Sequence, residues 1–101
     1  MKCVRFFSDA EVEMIEAAVY YEAQQVGLGR RFLAAVQDAA NRAASTPKLF
    51  PIVELDVRRC LTRTFPFGVL YRERSDAIVI VAVMHLHRDP DYWKSRCSER
   101  Q

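Results

Sequence analysis

The chain has 101 residues, of which 50% are hydrophobic and 28% charged, with three glycines and four prolines. That is enough apolar material for one packed core, and it excludes a two-domain, a disordered or a collagen-like chain. The net charge of +2 is too small to announce nucleic-acid binding on its own.

The predicted elements run as follows, within one domain over 1–101. Lys2 to Phe7 is short and rich in β-formers and reads as a first strand. Ser8-Asp9-Ala10-Glu11 fits the S-x-x-E capping box, with Ser8 as the expected cap. Val12, Ile15, Val19, Ala23 and Val26 then form an apolar stripe of a helix, expected to face the core, and Gly27 suits its left-handed C-terminal cap. After Gly27-Leu28-Gly29, a second stripe of Phe32, Val36, Ala39, Ala40 and Ala43 predicts a helix to about Ser45, antiparallel to the first. Thr46-Pro47 ends it.

From Val53 the period becomes two, which predicts one strand running on through Thr64. Phe65-Pro66-Phe67 is a turn, Gly68 to Arg72 a strand, and Arg74-Ser75-Asp76 a hairpin turn. Ile78 to Leu86 is apolar on both faces and marks a central, covered strand. The fold expected is α+β, in the order β-α-α-β-β-β, with an N-terminal αα-hairpin packed on one face of a small, mainly antiparallel sheet. The other face is expected to be open and to need a partner. Residues 93–101 are expected to form a flexible tail, although Tyr92 and Trp93 can also pin that segment to the sheet.

Three widely spaced cysteines, Cys3, Cys60 and Cys97, make no C-x-x-C pair. No apolar run approaches the ~18 residues that span a bilayer, and no signal core follows the N-terminus. A cytoplasmic protein with reduced thiols, no metal, no cofactor and no membrane association is expected.

Candidate chemistry gathers near the end of the central strand. His85 and His87, at i and i+2, put both rings on one face, where they can serve as acid and base or begin a metal site. The alternative is packing and a strand end. Arg58, Arg59, Arg63 and Arg88 can grip phosphate bidentately or simply solubilise strand edges. Tyr92 and Trp93 can stack on a base.

Taken together, Tyr20-Tyr21-Glu22, Gly27-Leu28-Gly29 with Phe32-Leu33, Arg58-Arg59, Phe65-Pro66-Phe67 with Tyr71, Ile80 to His85, Arg88-Asp89-Pro90 and Tyr92-Trp93 resemble the RelE/ParE family of toxins. Related chains are often called plasmid-stabilisation proteins. The resemblance spans about residues 5 to 94. It implies the toxin of a type II toxin–antitoxin pair, neutralised by a cognate antitoxin in a possible hetero-oligomer. One branch of the family cleaves mRNA on the ribosome; the other poisons DNA gyrase.

The nuclease branch has two lysines two residues apart, an arginine on the next strand, then an arginine and a tyrosine near the C-terminus. Here those positions read Arg59 and Leu61, Gly68, Arg88 and Tyr92. The depleted set favours the gyrase branch, with Arg58, Arg59, Arg63, Arg88 and Trp93 as target- or phosphate-binding residues. The alternatives are a nuclease using His85, His87, Arg88 and Tyr92, and an inert antitoxin-binding or co-repressor module.

Overall fold

The computed structural model describes residues 1–99. The elements are β1 (Cys3–Phe6), α1 (Ser8–Gln24), α2 (Leu28–Ser45), β2 (Ile52–Glu54), β3 (Val57–Leu61), β4 (Phe67–Glu73), β5 (Ala77–His85) and α3 (Lys94–Glu99). The five strands form one sheet in the order β1-β5-β4-β3-β2. β1 runs parallel to β5, and every other pair is antiparallel. This is the expected α+β fold, with the helical hairpin on one face.

The strand expected to run from Val53 through Thr64 is instead two strands, β2 and β3. Leu55 adopts a left-handed φ of 55° and turns the chain back, so that Ile52 pairs with Arg58. The period-two pattern of Val53, Leu55 and Val57 spans that turn, which hides it in the sequence.

The second helix behaves as its pattern requires, with Phe32, Val36, Ala39, Ala40 and Ala43 all fully buried. The first does not. Val12, Ile15 and Val19 are 53%, 52% and 65% exposed, and Val26 is exposed too. The inward face of α1 is instead Ala10, Met14, Ala17, Ala18 and Tyr21, an equally regular helical stripe of mostly smaller side chains.

Close approach explains the choice. A Cβ built on Gly29 would lie 2.5 Å from the Ala18 carbonyl oxygen. The two helices touch backbone to backbone there, and bulky valines on that face would hold them apart.

Ser8 is not the cap. Phe7 precedes the helix in extended conformation, with no side-chain cap, and its carbonyl accepts from the Glu11 N–H at 3.0 Å. Gly27 has the expected left-handed φ, 88°, but it starts α2 rather than capping α1. The free N–H groups there find Glu22, whose carboxylate accepts from Gly27 at 3.0 and 3.1 Å and from Gly29 at 3.0 Å. A carboxylate at a helix N-terminus also meets the positive end of the dipole. The Gly27 and Gly29 hydrogen bonds hold the Glu22 carboxyl below its ordinary pKa of 4.5.

The sheet face opposite the hairpin is not open. Val57, Leu70, Val81, Ala82 and Met84 pack there against Trp93 and Cys97, each 1% exposed. The expectation of a flexible tail is corrected accordingly over 93–99: Trp93 anchors the segment and α3 lays Cys97 on the sheet, while residues 100 and 101 lie outside the described residues. β5 is thereby covered on both sides, as its two-faced apolarity requires.

Two measurements follow. Gly29→Ala should lower stability by about 1–3 kcal/mol in urea unfolding, the cost of overpacking a close contact. Glu22, with its depressed carboxyl, adds stability above pH 4.5 that is lost as pH falls through the folded value; Glu22→Gln should flatten that part of the acid limb in a series of unfolding curves.

Candidate functional site

β1 is short, and this shapes the end of β5. Its last ladder partner is Ile80, and the Phe7 N–H then donates to the Ile80 carbonyl at 2.9 Å. Beyond that point the β5 edge has no strand beside it. A register shift opposite Leu70 and Tyr71 puts Val81 and Ala82 both on the α3 side and returns Val83 to the hairpin side.

Side chains satisfy this edge. The Val83 N–H donates to Glu13 Oε1 at 3.1 Å, and the Val81 carbonyl accepts from Arg96 Nη1 at 3.0 Å. Arg96 also grips Glu13 with both Nη atoms, at 3.0 and 2.9 Å. The two side chains are only 15% and 11% exposed.

Around this pair sit two of the predicted site residues. The Arg88 guanidinium lies 3.7 Å from the centre of the Tyr92 ring and 3.5 Å from Glu13, and Arg96 stands 5.0 Å from the same ring. Burial, with Glu13 close by, pushes the Tyr92 hydroxyl well above the ordinary tyrosine range. A phenol so placed is poorly suited to donating a proton to a leaving group near neutral pH.

His85 and His87 form a second pair, rings edge to face with centroids 5.3 Å apart, and Phe67 packs on His85 at 5.1 Å. The His87 backbone N–H donates to His85 Nδ1 at 3.1 Å, which leaves Nε2 to carry the proton of a neutral ring. The backbone of Arg88 joins the two pairs through its N–H to the His85 carbonyl at 3.0 Å. Among the described residues no group of three or more His, Cys, Asp or Glu is placed to hold a metal ion.

The remaining arginines do different things. Arg58 Nη1 donates to the carbonyls of Phe50 at 2.7 Å and Lys48 at 3.3 Å, clamping the loop before β2. Tyr71 fastens the same loop by donating to the Pro47 carbonyl at 2.6 Å, and burial pushes its hydroxyl up to about 12. Arg63 is exposed and lies 3.5 Å from Asp38.

Arg59 points to the opposite face from Arg58. Its stem crosses Gly68, where a Cβ would stand 3.0 Å from both Cγ and Cδ. Arg59 and Trp93 line one cavity of about 80 Å³. Arg59 Nε and Trp93 Nε1 are both buried with no acceptor among the described residues, and a buried donor left unmade costs about 1–3 kcal/mol.

Of the five proposed target-binding residues the structure therefore brings together Arg59 and Trp93. It places Arg88 with Tyr92 at the β5 edge, and Arg58 and Arg63 elsewhere.

Glu13 and Arg96 were missed by sequence reasoning. The one available signal was an acid among the alanines of the inward stripe, between Ala10 and Ala17.

The exposed side of α1 is a further surface. Ile15, Val19, Glu22, Gly29, Arg30 and Leu33 line a groove of about 350 Å³ between α1 and α2. Val12 and Tyr20 extend the apolar surface of α1.

The family described as "ParE toxin of type II toxin-antitoxin system, parDE" matches residues 4–90. Among solved structures, a chain of the chromosomal ParDE toxin–antitoxin system from P. aeruginosa is similar at a TM-score of 0.62 and 17% identity, over 86% of this chain and 98% of that one. No curated protein matches.

Removing one partner of a nearly buried ion pair leaves the other uncompensated, commonly at about 3–5 kcal/mol. Glu13→Ala and Arg96→Ala should each lose about that much in chemical unfolding. The double variant should lose far less than the sum, because the two form one unit.

Proposed function

The chain belongs to the ParE family of type II toxin–antitoxin toxins, and from that premise we propose that it inhibits DNA gyrase without cutting bonds itself and is neutralised by a cognate antitoxin. The observation that carries the gyrase reading is the state of the positions a nuclease would use. Leu61 and Gly68 have no charge to offer, and the Arg59 stem occupies the space over Gly68. Arg88 is drawn against Tyr92 and Glu13. Electrostatic groups of this kind are each commonly worth ~2.7–4 kcal/mol of barrier.

The His85–His87 pair favours the second reading, a ribosome-dependent endoribonuclease, since the half-buried His85 and the exposed His87 bring two imidazoles together at the strand end.

The antitoxin has an uncovered surface to occupy. The face of the sheet expected to receive a partner is filled by Trp93 and Cys97, whereas α1 presents Val12, Ile15, Val19 and Tyr20 outward. Apolar residues three and four apart beside a shallow groove suit an amphipathic helix laid along it. Arg30 on the groove wall suits an acidic residue on that helix.

Purified protein should stop gyrase supercoiling and accumulate cleaved plasmid while mRNA in a translation extract stays intact. An unaffected gyrase together with codon-phased mRNA cuts, lost in Arg88→Ala, would establish the nuclease instead. Ile15→Glu combined with Val19→Glu should weaken antitoxin binding tenfold or more in a calorimetric titration, since it places charge in an apolar contact. The same change should leave unfolding within about 1 kcal/mol of the parent, because both sites are on the surface.

A further inference from the structure

We propose that the cavity between Arg59 and Trp93 is a binding site for a small carboxylate. Its walls come from four strands and the segment before α3: Glu54 of β2, Arg59 of β3, Leu70 of β4, Met84 of β5, then Asp91 and Trp93. Two of these side chains bring a buried donor with nothing to donate to, Arg59 Nε and Trp93 Nε1. Trp93 is 1% exposed, so its indole N–H is withdrawn from the protein surface. A ligand that supplies two acceptor atoms would satisfy both donors, and a carboxylate carries two oxygens in one plane.

Charge narrows the class. Glu54 and Asp91 stand on the wall, but Lys94 holds both, at 2.8 and 2.9 Å. Arg59 is thus left without either acid, and the two acids balance Lys94 and Arg59. With these four charges cancelling, the wall has no net field to oppose a single negative charge, which the two directed donors would hold. A dianion or a phosphate backbone would bring further negative charge that the two donors leave uncompensated beside Glu54 and Asp91.

Size points the same way. A cavity of about 80 Å³ is well below the ~300–1,000 Å³ of ordinary ligand pockets, so it takes a carboxylate group with little attached. The Arg59 stem is held across Gly68, which fixes the donor before the ligand arrives. The site is independent of whether the target is gyrase or the ribosome. A free small acid and the tip of an acidic side chain on the antitoxin offer the same chemistry.

The chain has a single tryptophan, so its indole N–H gives one resonance in a nitrogen-15 spectrum of the full-length protein. Titration with formate and acetate at constant ionic strength should move it saturably, and acetamide or phosphate should not. Arg59→Gln should raise the midpoint about tenfold or more, the loss of a hydrogen bond to a charged group; Arg63→Gln should leave it unchanged. Should Arg59→Gln fail to fold, Gly68→Ala, which pushes the Arg59 stem aside, should weaken acetate binding in its place. If the antitoxin complex shifts the resonance and abolishes the acetate response, the occupant is an acidic side chain. If acetate still binds in the complex, the occupant is free acid. A resonance indifferent to both acids, or moved equally by acetamide, would overturn the proposal.

Discussion

The structure turns on a strand that outruns its neighbour. β1 covers the edge of β5 only as far as Ile80, and a buried backbone group without a partner is costly. Glu13 and Arg96 resolve this from opposite ends of the chain, one taking the Val83 N–H and the other the Val81 carbonyl while they hold each other. One contact therefore fastens the first helix, the central strand and the last helix at a single point. Arg88 and Tyr92 lie beside it, the Arg88 guanidinium 3.5 Å from Glu13 and 3.7 Å from the centre of the Tyr92 ring.

The helical hairpin shows how packing distance overrides hydrophobicity. α1 has two regular stripes, one of valines and isoleucine and one rich in alanine. Apolarity alone turns the first inward. The approach of Gly29 to the Ala18 carbonyl admits only the second, because the helices meet nearer than branched side chains permit. The larger residues are left outside, where they form an exposed apolar surface along α1.

The sequence was informative where one physical rule dominated. The α2 stripe, the two-faced apolarity of β5 and the turn at Arg74-Ser75-Asp76 each express a single constraint, and each is found where the pattern put it. It was misleading where two rules compete. Ser8 and Glu11 have the spacing of a cap, yet Phe7 must continue the β1 ladder by donating to Ile80, so the helix begins without a side-chain cap. Leu55 continues an alternating pattern through a turn that only its φ reveals. At the candidate site, residue types were readable but their company was not: the pairing of Glu13 with Arg96 across 83 positions, and the cavity that Arg59 and Trp93 share, exist only once the sheet is assembled.

The stem of Arg59 lying across Gly68 has a bearing on how such a domain could change its trade. To install a long cation on β4, as a phosphodiester-cutting relative would need, the newcomer would have to enter volume already taken. The Arg59 stem must then give way in the same step, since a Cβ at 68 would already stand 3.0 Å from its Cγ and Cδ, and any such move disturbs the donor beside Trp93. Positions 59 and 68 are therefore coupled through one contact, and a side chain gained at 68 changes where the Arg59 guanidinium can stand.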